Sequence, residues 1–280
     1  MKETLLTVMA AAAIALNGSD LMADETNSIL PTVSFNAYAD IETAYLCRGA
    51  IYDVRPFSAQ YAATAVDFGL AGIVEGSVWT YSAMSPSGHS ARMSRYAYAE
   101  ADYLLRYYYD IDIAEGWSLR NGLGKQWVTN PGFCGAHTVV DWQALQMLNN
   151  PYITPYWRLR VIRRPFEETY WVLGMKRSFE IVKDLSFTAD FFGDVGDRRQ
   201  MYNLFGDWAE ANGRRMRGAL HALSLVFRLD YKVIEHVGLF AFAGQFCVVG
   251  NDARDAMKAA HIPEGKRDIT YGGAGVAVDF

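Results

Sequence analysis

The chain ends on the stretch GGAGVAVDF, residues Gly272 to Phe280, and the alternation within this stretch decides the fold. Val276, Val278 and Phe280 occupy every second position, with small or acidic residues between them. A period of two places alternate side chains on opposite faces of a β-strand. The stretch therefore predicts a final strand with one apolar face, and that face includes the last residue of the chain.

The same alternation recurs throughout the preceding sequence. In VSFNAYADIETAYL, residues 33–46, apolar residues such as Val33, Phe35 and Ile41 alternate with polar ones. Alternation of this kind over short segments predicts β-strands and an all-β fold. The alternation is less regular in the sixth and eighth predicted segments, residues 138–149 and 167–181. About twelve strands are predicted, at residues 33–46, 57–69, 70–82, 95–109, 113–127, 138–149, 152–164, 167–181, 184–194, 214–231, 237–249 and 267–280.

The connections between these strands alternate in length. Longer loops are predicted near residues 47–56, 83–94, 128–137, 195–213 and 250–266. At the end of the barrel that carries these longer loops, only the connection near Arg164–Phe166 is short. Antiparallel strands joined by short turns at one end and long loops at the other are typical of a transmembrane up-and-down β-barrel. The short turns are predicted near residues 68–71, 110–112, 149–151, 182–183 and 232–236.

The N-terminus predicts export. The segment MKETLLTVMAAAAIALNGSDLMA starts with a charged residue, continues with an apolar run from Leu5 to Leu16 and ends on small residues. The run is too short to span a bilayer, and its layout is that of a secretory signal peptide cleaved after Ala23. The predicted organisation is a signal peptide over residues 1–23, a short N-terminal segment over 24–32 and a β-barrel over 33–280.

Two features favour a membrane barrel over a secreted soluble one, a choice that alternation alone leaves open. The opposite, polar faces of the strands carry charges of both signs, which a packed soluble core tolerates poorly. The apolar faces carry aromatic residues near strand ends, as expected at a membrane–water interface. These predicted interfacial residues are Tyr45, Trp79, Tyr107, Trp117, Trp127, Trp157, Trp171 and Tyr231.

Charge and cysteine content exclude other classes of protein. A net charge of −5 without a basic cluster gives no reason to expect nucleic acid as a partner. The three cysteines, Cys47, Cys134 and Cys247, form neither a disulfide framework nor the spacing of a zinc site. We therefore predict no metal and no cofactor.

With these features the chain resembles the outer-membrane β-barrel proteins of Gram-negative bacteria, whose last strand ends in an aromatic residue that the barrel-assembly machinery recognises. Val276, Val278 and Phe280 match that ending. Within the class the chain is most similar to small porins, which share motifs like TAYLCRGA, RPFSAQY and NNPYITPYW. The resemblance implies a location in the outer membrane, with lipids and the barrel-assembly machinery as partners.

The polar strand faces are then expected to line the barrel interior. Charges of both signs on an inner wall favour the passage of small polar or charged solutes. Arginines and acids recur on different strands, which predicts opposing basic and acidic walls. The predicted pore-lining residues are Asp40, Glu42, Glu100, Asp102, Arg106, Arg120, Arg158, Arg160, Asp190, Arg228 and Asp230.

Two functions stay open at this level. Barrels of eight strands are filled by side chains and barrels of sixteen or more leave a channel, so twelve strands lie between the two cases. The inward charges either line a porin-like channel or pair with one another inside a closed barrel. In a closed barrel the long loops would be the functional part, in adhesion or partner binding. Residues 201–216 of the largest loop are able to fold over the mouth in either case.

A third function, lipid hydrolysis, needs a serine and a histidine within hydrogen-bond reach. Ser87, His89 and Ser90 lie in a predicted loop without a recognisable nucleophile context. His221 and Ser224 lie three residues apart in a predicted strand and are expected on opposite faces. We therefore predict no catalytic residues and no enzyme activity.

Overall fold

Twelve antiparallel strands close into a barrel in the computed structural model, which describes residues 31–47, 50–54, 56–84, 99–129, 138–164, 167–259 and 268–280. The sheet closes because its first strand pairs both with the next barrel strand and with the last one. The predicted all-β, antiparallel up-and-down barrel is confirmed. The predicted signal peptide over residues 1–23 lies outside the described residues and stays a prediction.

The strands lie within a few residues of the predicted segments. A hairpin of β2 (Tyr45–Cys47) and β3 (Ala50–Asp53) lies in the connection between the first two barrel strands. Other connections contain a 3₁₀ turn at Gly69–Ala71 and the helices α1 (Arg198–Ala211) and α2 (Asn251–Ala259). No helix among the described residues is long and apolar enough to cross a membrane. The barrel strands are β1 (Thr32–Glu42), β4 (Phe57–Asp67), β5 (Ile73–Ala83), β6 (Ala99–Ala114), β7 (Trp117–Thr129), β8 (Thr138–Asn149), β9 (Thr154–Arg164), β10 (Glu168–Val182), β11 (Leu185–Gly196), β12 (Ala219–Ile234), β13 (Val237–Val248) and β14 (Asp268–Asp279).

The two ends of the barrel differ in their connections, as predicted. One end, called here the short-turn end, carries the start of β1, the end of β14 and tight turns between the other strands. The opposite end, called the long-loop end, carries the β2–β3 hairpin and both α-helices. The short connection between Arg164 and Glu168 lies at this end too, and is the exception that the sequence predicts.

The turn predicted at residues 110–112 is wrong. Strand β6 continues to Ala114, and the chain reverses at Gly116, which adopts a φ of +72°. Asp110 pairs with Arg120 on β7, and their side chains form hydrogen bonds of 2.8 and 2.6 Å. Aspartates are common in turns, but here the cross-strand ion pair keeps Asp110 in the ladder.

Bulky apolar side chains cover the outer wall. Soluble proteins rarely expose a large contiguous apolar surface, whereas the outward face of a membrane barrel consists of one. A soluble barrel would bury these side chains inside, so the membrane arrangement is the one that the structure has. Large exposed residues on outward positions include Tyr103, Leu105, Leu123, Leu173, Phe227, Leu229, Leu239 and Val276.

On the inner wall, glycines lie opposite aromatic residues of the neighbouring strand. Gly275 pairs with Phe240 and Gly273 with Phe242, so the rings of β13 lie over the last strand. A Cβ atom at Gly275 would lie 2.7 Å from the Phe240 ring, so only glycine leaves room there. Gly273 and Gly275 of the C-terminal stretch therefore face inward, and its valines face outward. The same contact occurs at Gly244 and Tyr271, Gly174 and Tyr156, and Gly122 and Tyr108.

Candidate functional site: the barrel interior

The residues predicted to face inward lie on the inner wall. Residues opposite each other on antiparallel strands point to the same side of the sheet, so the pairing assigns each position to a wall. Arg158 lies opposite Leu145 and Val172, for example, and Asp190 opposite Lys176. By this pairing the inner wall contains Asp40, Glu42, Glu100, Asp102, Arg106, Arg120, Arg158, Arg160, Asp190, Arg228 and Asp230.

A polar network covers the inner wall of β6–β9 toward the long-loop end. Arg160 forms an ion pair with Asp141, which is fully buried, and donates a hydrogen bond of 2.7 Å to Gln126. Gln126 donates in turn to Asp102 and accepts from Gln143. Five side chains from four strands therefore hold one another in place, and the charge of Arg160 is neutralised within the wall.

Other inward arginines also lie beside carboxylates. Arg106 forms an ion pair of 3.1 Å with Glu75 on the neighbouring strand. Arg228 forms one of 2.7 Å with Asp230, two residues further along the same strand. The predicted opposing walls of basic and acidic charge are therefore wrong as a description of the whole interior, because most arginines have an acidic neighbour on their own side.

A cavity of about 260 Å³ lies inside the barrel beside β6–β11. Arg158 and Lys176 line it, and neither has an ion-pair partner within 4 Å in the part of the chain that the structure describes. Asp190, which also lines the cavity, accepts a hydrogen bond of 2.9 Å from the hydroxyl of Tyr156. The cavity thus contains two cations that no carboxylate among the described residues approaches within 4 Å.

A hydrophobic cap fills part of the mouth at the long-loop end. It consists of α1, α2 and the β2–β3 hairpin, whose apolar side chains are buried against one another. The cap also packs on inward residues of the last three strands, among them Phe246 and Ile269. Its buried core includes Ala44, Ile51, Met201, Phe205, Ala209, Met216, Ala253, Ala256 and Met257.

The segment 201–216, which the sequence analysis gives as able to fold over the mouth, lies there mainly as helix α1. Asp197 caps the helix, since its side chain accepts a hydrogen bond of 2.7 Å from the backbone nitrogen of Gln200. Met201, Phe205 and Ala209 follow at intervals of four residues and are all buried. This helical spacing is readable in the sequence, but a search for two-residue alternation passes over it.

Two of the aromatic residues predicted for the outer interface point inward instead. Tyr45 stacks on Tyr81 with 4.6 Å between ring centroids, and its hydroxyl donates to both carboxylate oxygens of Glu100 at 3.2 Å. Strand β1 ends at Glu42, so the alternation that assigned Tyr45 to the outer face does not reach it. Trp79 pairs with an inward residue of β6 and stacks on Tyr81. The other predicted interfacial residues lie on outward positions: Tyr107, Trp117, Trp127, Trp157, Trp171 and Tyr231.

Sequence reasoning missed several inward polar residues that complete these contacts. Asp141 and Gln143 lie on β8, where the alternation is less regular, and Lys176 lies on β10, where it is irregular too. Their positions become clear only from the cross-strand register, which a single strand does not reveal. The missed inward residues are Glu75, Asp110, Asp141, Gln143, Lys176 and Asp194.

His221 and Ser224, the candidate hydrolase residues within the described part of the chain, do not form a site on the outer wall. A β-bulge at Asp194/Val195 interrupts the pairing beside His221, so the strict alternation used to separate His221 from Ser224 fails there. Both side chains are buried, and the His221 ring packs on Phe205 of the cap with 6.4 Å between centroids. No cluster of three His, Cys, Asp or Glu side chains suited to a metal occurs among the residues that the structure describes. Ser87, His89 and Ser90 lie outside those residues.

No family model matches the sequence, and no curated protein matches it either. Solved structures match by fold. The NanC porin aligns with a TM-score of 0.52 at 9% identity, covering 87% of this chain and 98% of that chain. An outer membrane channel from Pseudomonas putida F1 aligns at 0.48 with 10% identity, over 92% of this chain and 100% of that one. Outer membrane phospholipase A from Escherichia coli aligns at 0.44 with 14% identity, over 88% and 92%.

The similarity to the NanC porin shows a shared fold. At 9% identity it assigns no solute and no activity. Together with the closed barrel and its apolar outer wall, it defines the class: the chain has the fold of the outer-membrane β-barrel proteins. The outer membrane is the location that belongs to this class.

Proposed function

We propose that the protein is a porin-like channel for small polar solutes, with a preference for anions. The observation that supports the proposal is the cavity lined by Arg158 and Lys176, which carry positive charge without a direct ion pair among the described residues. Fixed charge in a confined aqueous passage attracts ions of opposite sign and repels ions of the same sign.

The cap and the polar network suggest where solutes pass. The cap packs on β12–β14 and covers that side of the mouth with apolar side chains. The wall of β6–β9 carries the network around Gln126 and leads toward the cavity. In this proposal solutes move along the β6–β9 wall, between the cap and the charged cavity.

Ion selectivity in planar bilayers tests the proposal. Arg158→Gln should move the reversal potential in a salt gradient toward cation preference, and Arg158→Glu should move it further. Both shifts should be largest at low salt, because salt screens fixed charge. Arg160 is unsuitable for this test, since it is paired with Asp141.

Arg177→Gln is the matched control. Arg177 lies on the outer wall and donates to the backbone oxygen of Tyr152, so its removal changes net charge equally without changing the cavity. An unchanged reversal potential in the Arg158 variants, with measurable current, would reject the cavity as the selective region. Absence of current in every folded variant would reject the channel.

A closed barrel is the second candidate, and the cap favours it. The buried apolar contacts of α1 with α2 and the barrel wall are those of a packed core. If this cap never opens, the barrel is a scaffold and its long loops carry the function.

A further inference from the structure

Strand β8 carries two apolar side chains on the inner wall, within the cavity. Leu145 lies opposite Arg158 and Met147 lies opposite Arg120, both of them inward residues. These two positions are the reason that the alternation over residues 138–149 is less regular. The interior of a membrane barrel is generally polar, and apolar side chains inside it are expected to be packed away from water. Leu145 and Met147 are only half-buried and line the cavity, so their apolar surface is available to a solute.

The ring of Tyr108 extends this apolar surface onto β6. Tyr108 lies opposite Gly122, and a Cβ atom there would be 3.0 Å from the Tyr108 ring and 3.4 Å from Cβ of Leu145. The ring and Leu145 therefore approach each other over the glycine. The Tyr108 hydroxyl accepts a hydrogen bond of 3.2 Å from Arg106, and the guanidinium carbon of Arg120 is 5.5 Å from the ring centroid. These contacts hold the ring in place at the edge of the cavity.

The two cations of the cavity border this apolar surface. Arg158 lies directly opposite Leu145, and such pairs have Cβ atoms about 4.5–5.5 Å apart. Lys176 lies on β10 and lines the same cavity. The volume of about 260 Å³ is small beside the roughly 300–1,000 Å³ of pockets for drug-sized ligands. A ligand that fits this cavity is therefore small, with an anionic group for the cations and an apolar body for the adjoining wall.

We propose that the cavity binds small carboxylates with an apolar body, aromatic carboxylates above all. The inference rests on the proposed function, because it names the class of solute for the same cavity. The carboxylate accepts charge-assisted hydrogen bonds from Arg158 and Lys176. The ring packs on Leu145, Met147 and Tyr108, which removes apolar surface from water. A small hydrophilic anion such as acetate makes only the first of these two sets of contacts.

Binding of benzoate and acetate to the purified protein in detergent tests the site. A ligand-observed NMR titration, with empty micelles as the blank, should show benzoate bound about tenfold more tightly than acetate. Benzyl alcohol, which keeps the ring without the charge, should bind more weakly than benzoate. Arg158→Gln should weaken the binding of both carboxylates.

The apolar surface is tested by Met147→Gln, which keeps the length of the side chain. This variant should weaken benzoate binding about fivefold and leave acetate binding nearly unchanged. Leu104→Gln is the matched control, because Leu104 faces inward on β6 opposite Gln126 and lies outside the set of residues that line the cavity. It should leave the binding of both carboxylates unchanged.

Heat-modifiability shows whether each variant is folded, and Leu145→Asn replaces Met147→Gln if that variant does not fold. Equal binding of benzoate and acetate by the wild type would overturn the inference. So would an equal loss of benzoate binding in Met147→Gln and Leu104→Gln. Bilayer currents in potassium chloride test the channel separately. Chloride current together with equal binding of both carboxylates overturns the inference alone, whereas selective benzoate binding without any current overturns the channel and supports the site.

Discussion

Arg158 and Arg160 show how much two residues with the same chemistry and the same face can differ. Both lie on the inner face of β9, two positions apart. Arg160 is held by Asp141 and Gln126, and its guanidinium also lies over the Tyr170 ring at 5.5 Å. Arg158 lines the cavity without such a partner. Arg160 therefore belongs to the structure of the wall, and Arg158 is available to a solute.

At this scale we expect Arg160→Gln to destabilise the barrel strongly. It leaves the fully buried Asp141 without its cation, a change that costs about 3–5 kcal/mol. Arg120→Gln breaks the pair with Asp110, which is about a third exposed, and should cost about 0–1 kcal/mol. Urea unfolding in detergent micelles measures both.

The combination Arg160→Gln with Asp141→Asn should recover part of the loss, since no buried charge is left unpaired. Similar unfolding midpoints for Arg160→Gln and Arg120→Gln would show that the buried ion pair contributes no more to the stability of the barrel than the exposed one.

Among the elements, the last strand combines two opposite requirements. Its valines face lipid, and Gly273 and Gly275 make room inside for the aromatic rings of β13. We expect Gly275→Ala to destabilise the barrel by about 1–3 kcal/mol through overpacking. A Cβ atom there would lie 2.7 Å from the Phe240 ring and 2.6 Å from Cβ of Asp40. The same urea titration measures the change.

Gly76→Ala is the control for this prediction. Gly76 lies on β5, and a Cβ atom there would meet nothing within 4 Å. An unfolding midpoint for Gly275→Ala as high as that of Gly76→Ala would mean that the adjacent β1 backbone and the Phe240 ring move away without cost.

The cap is the element that decides between an open and a closed mouth. Phe205 of α1 is 4% exposed, whereas Tyr202 on the same helix is 45% exposed. We expect Phe205→Asp to release the helix, because burying a charge in this apolar cluster is costly. Single-channel conductance should then rise, and protease should cleave the cap more readily.

Tyr202→Asp places the same charge on the exposed side of α1 and should change neither readout. If Phe205→Asp increases cleavage without changing the conductance, the cap does not obstruct the passage.

For the molecule as a whole, closure depends on the contact between the first and the last barrel strands. Phe280 and Phe35 exchange backbone hydrogen bonds of 2.8 and 2.9 Å, and the Phe280 ring stacks on His236 at 4.8 Å. We expect Phe280→Ser to reduce the amount of folded, heat-modifiable protein in the outer membrane, and Phe280→Tyr to retain most of it.

We propose that Phe280, together with Val276 and Val278, has a role in assembly. A second measurement distinguishes this role from a contribution to the stability of the folded barrel. If the assembly machinery recognises Phe280, the purified Phe280→Ser variant should fold into lipid vesicles nearly as well as the wild type. An equal defect in vesicles and in cells would make its role structural only.

The alternation along the chain determined the barrel, its approximate strand bounds and the inner wall, because a period of two is a local property of each strand. It placed Val276, Val278 and Phe280 outward and the eleven charged residues inward. It was wrong at Tyr45, Trp79 and residues 110–112, where the ends and registers of strands, and not their composition, set the outcome.

Only the tertiary structure decided which inward charges are neutralised and what closes the mouth. The partners of Arg160 and Arg106 come from strands whose register no single segment reveals. The cap joins α1, α2 and the β2–β3 hairpin, segments far apart in the sequence, through one shared apolar cluster. Such contacts exist only once the barrel has closed and brought these segments to the same end, which is the physical reason that the sequence pattern does not contain them.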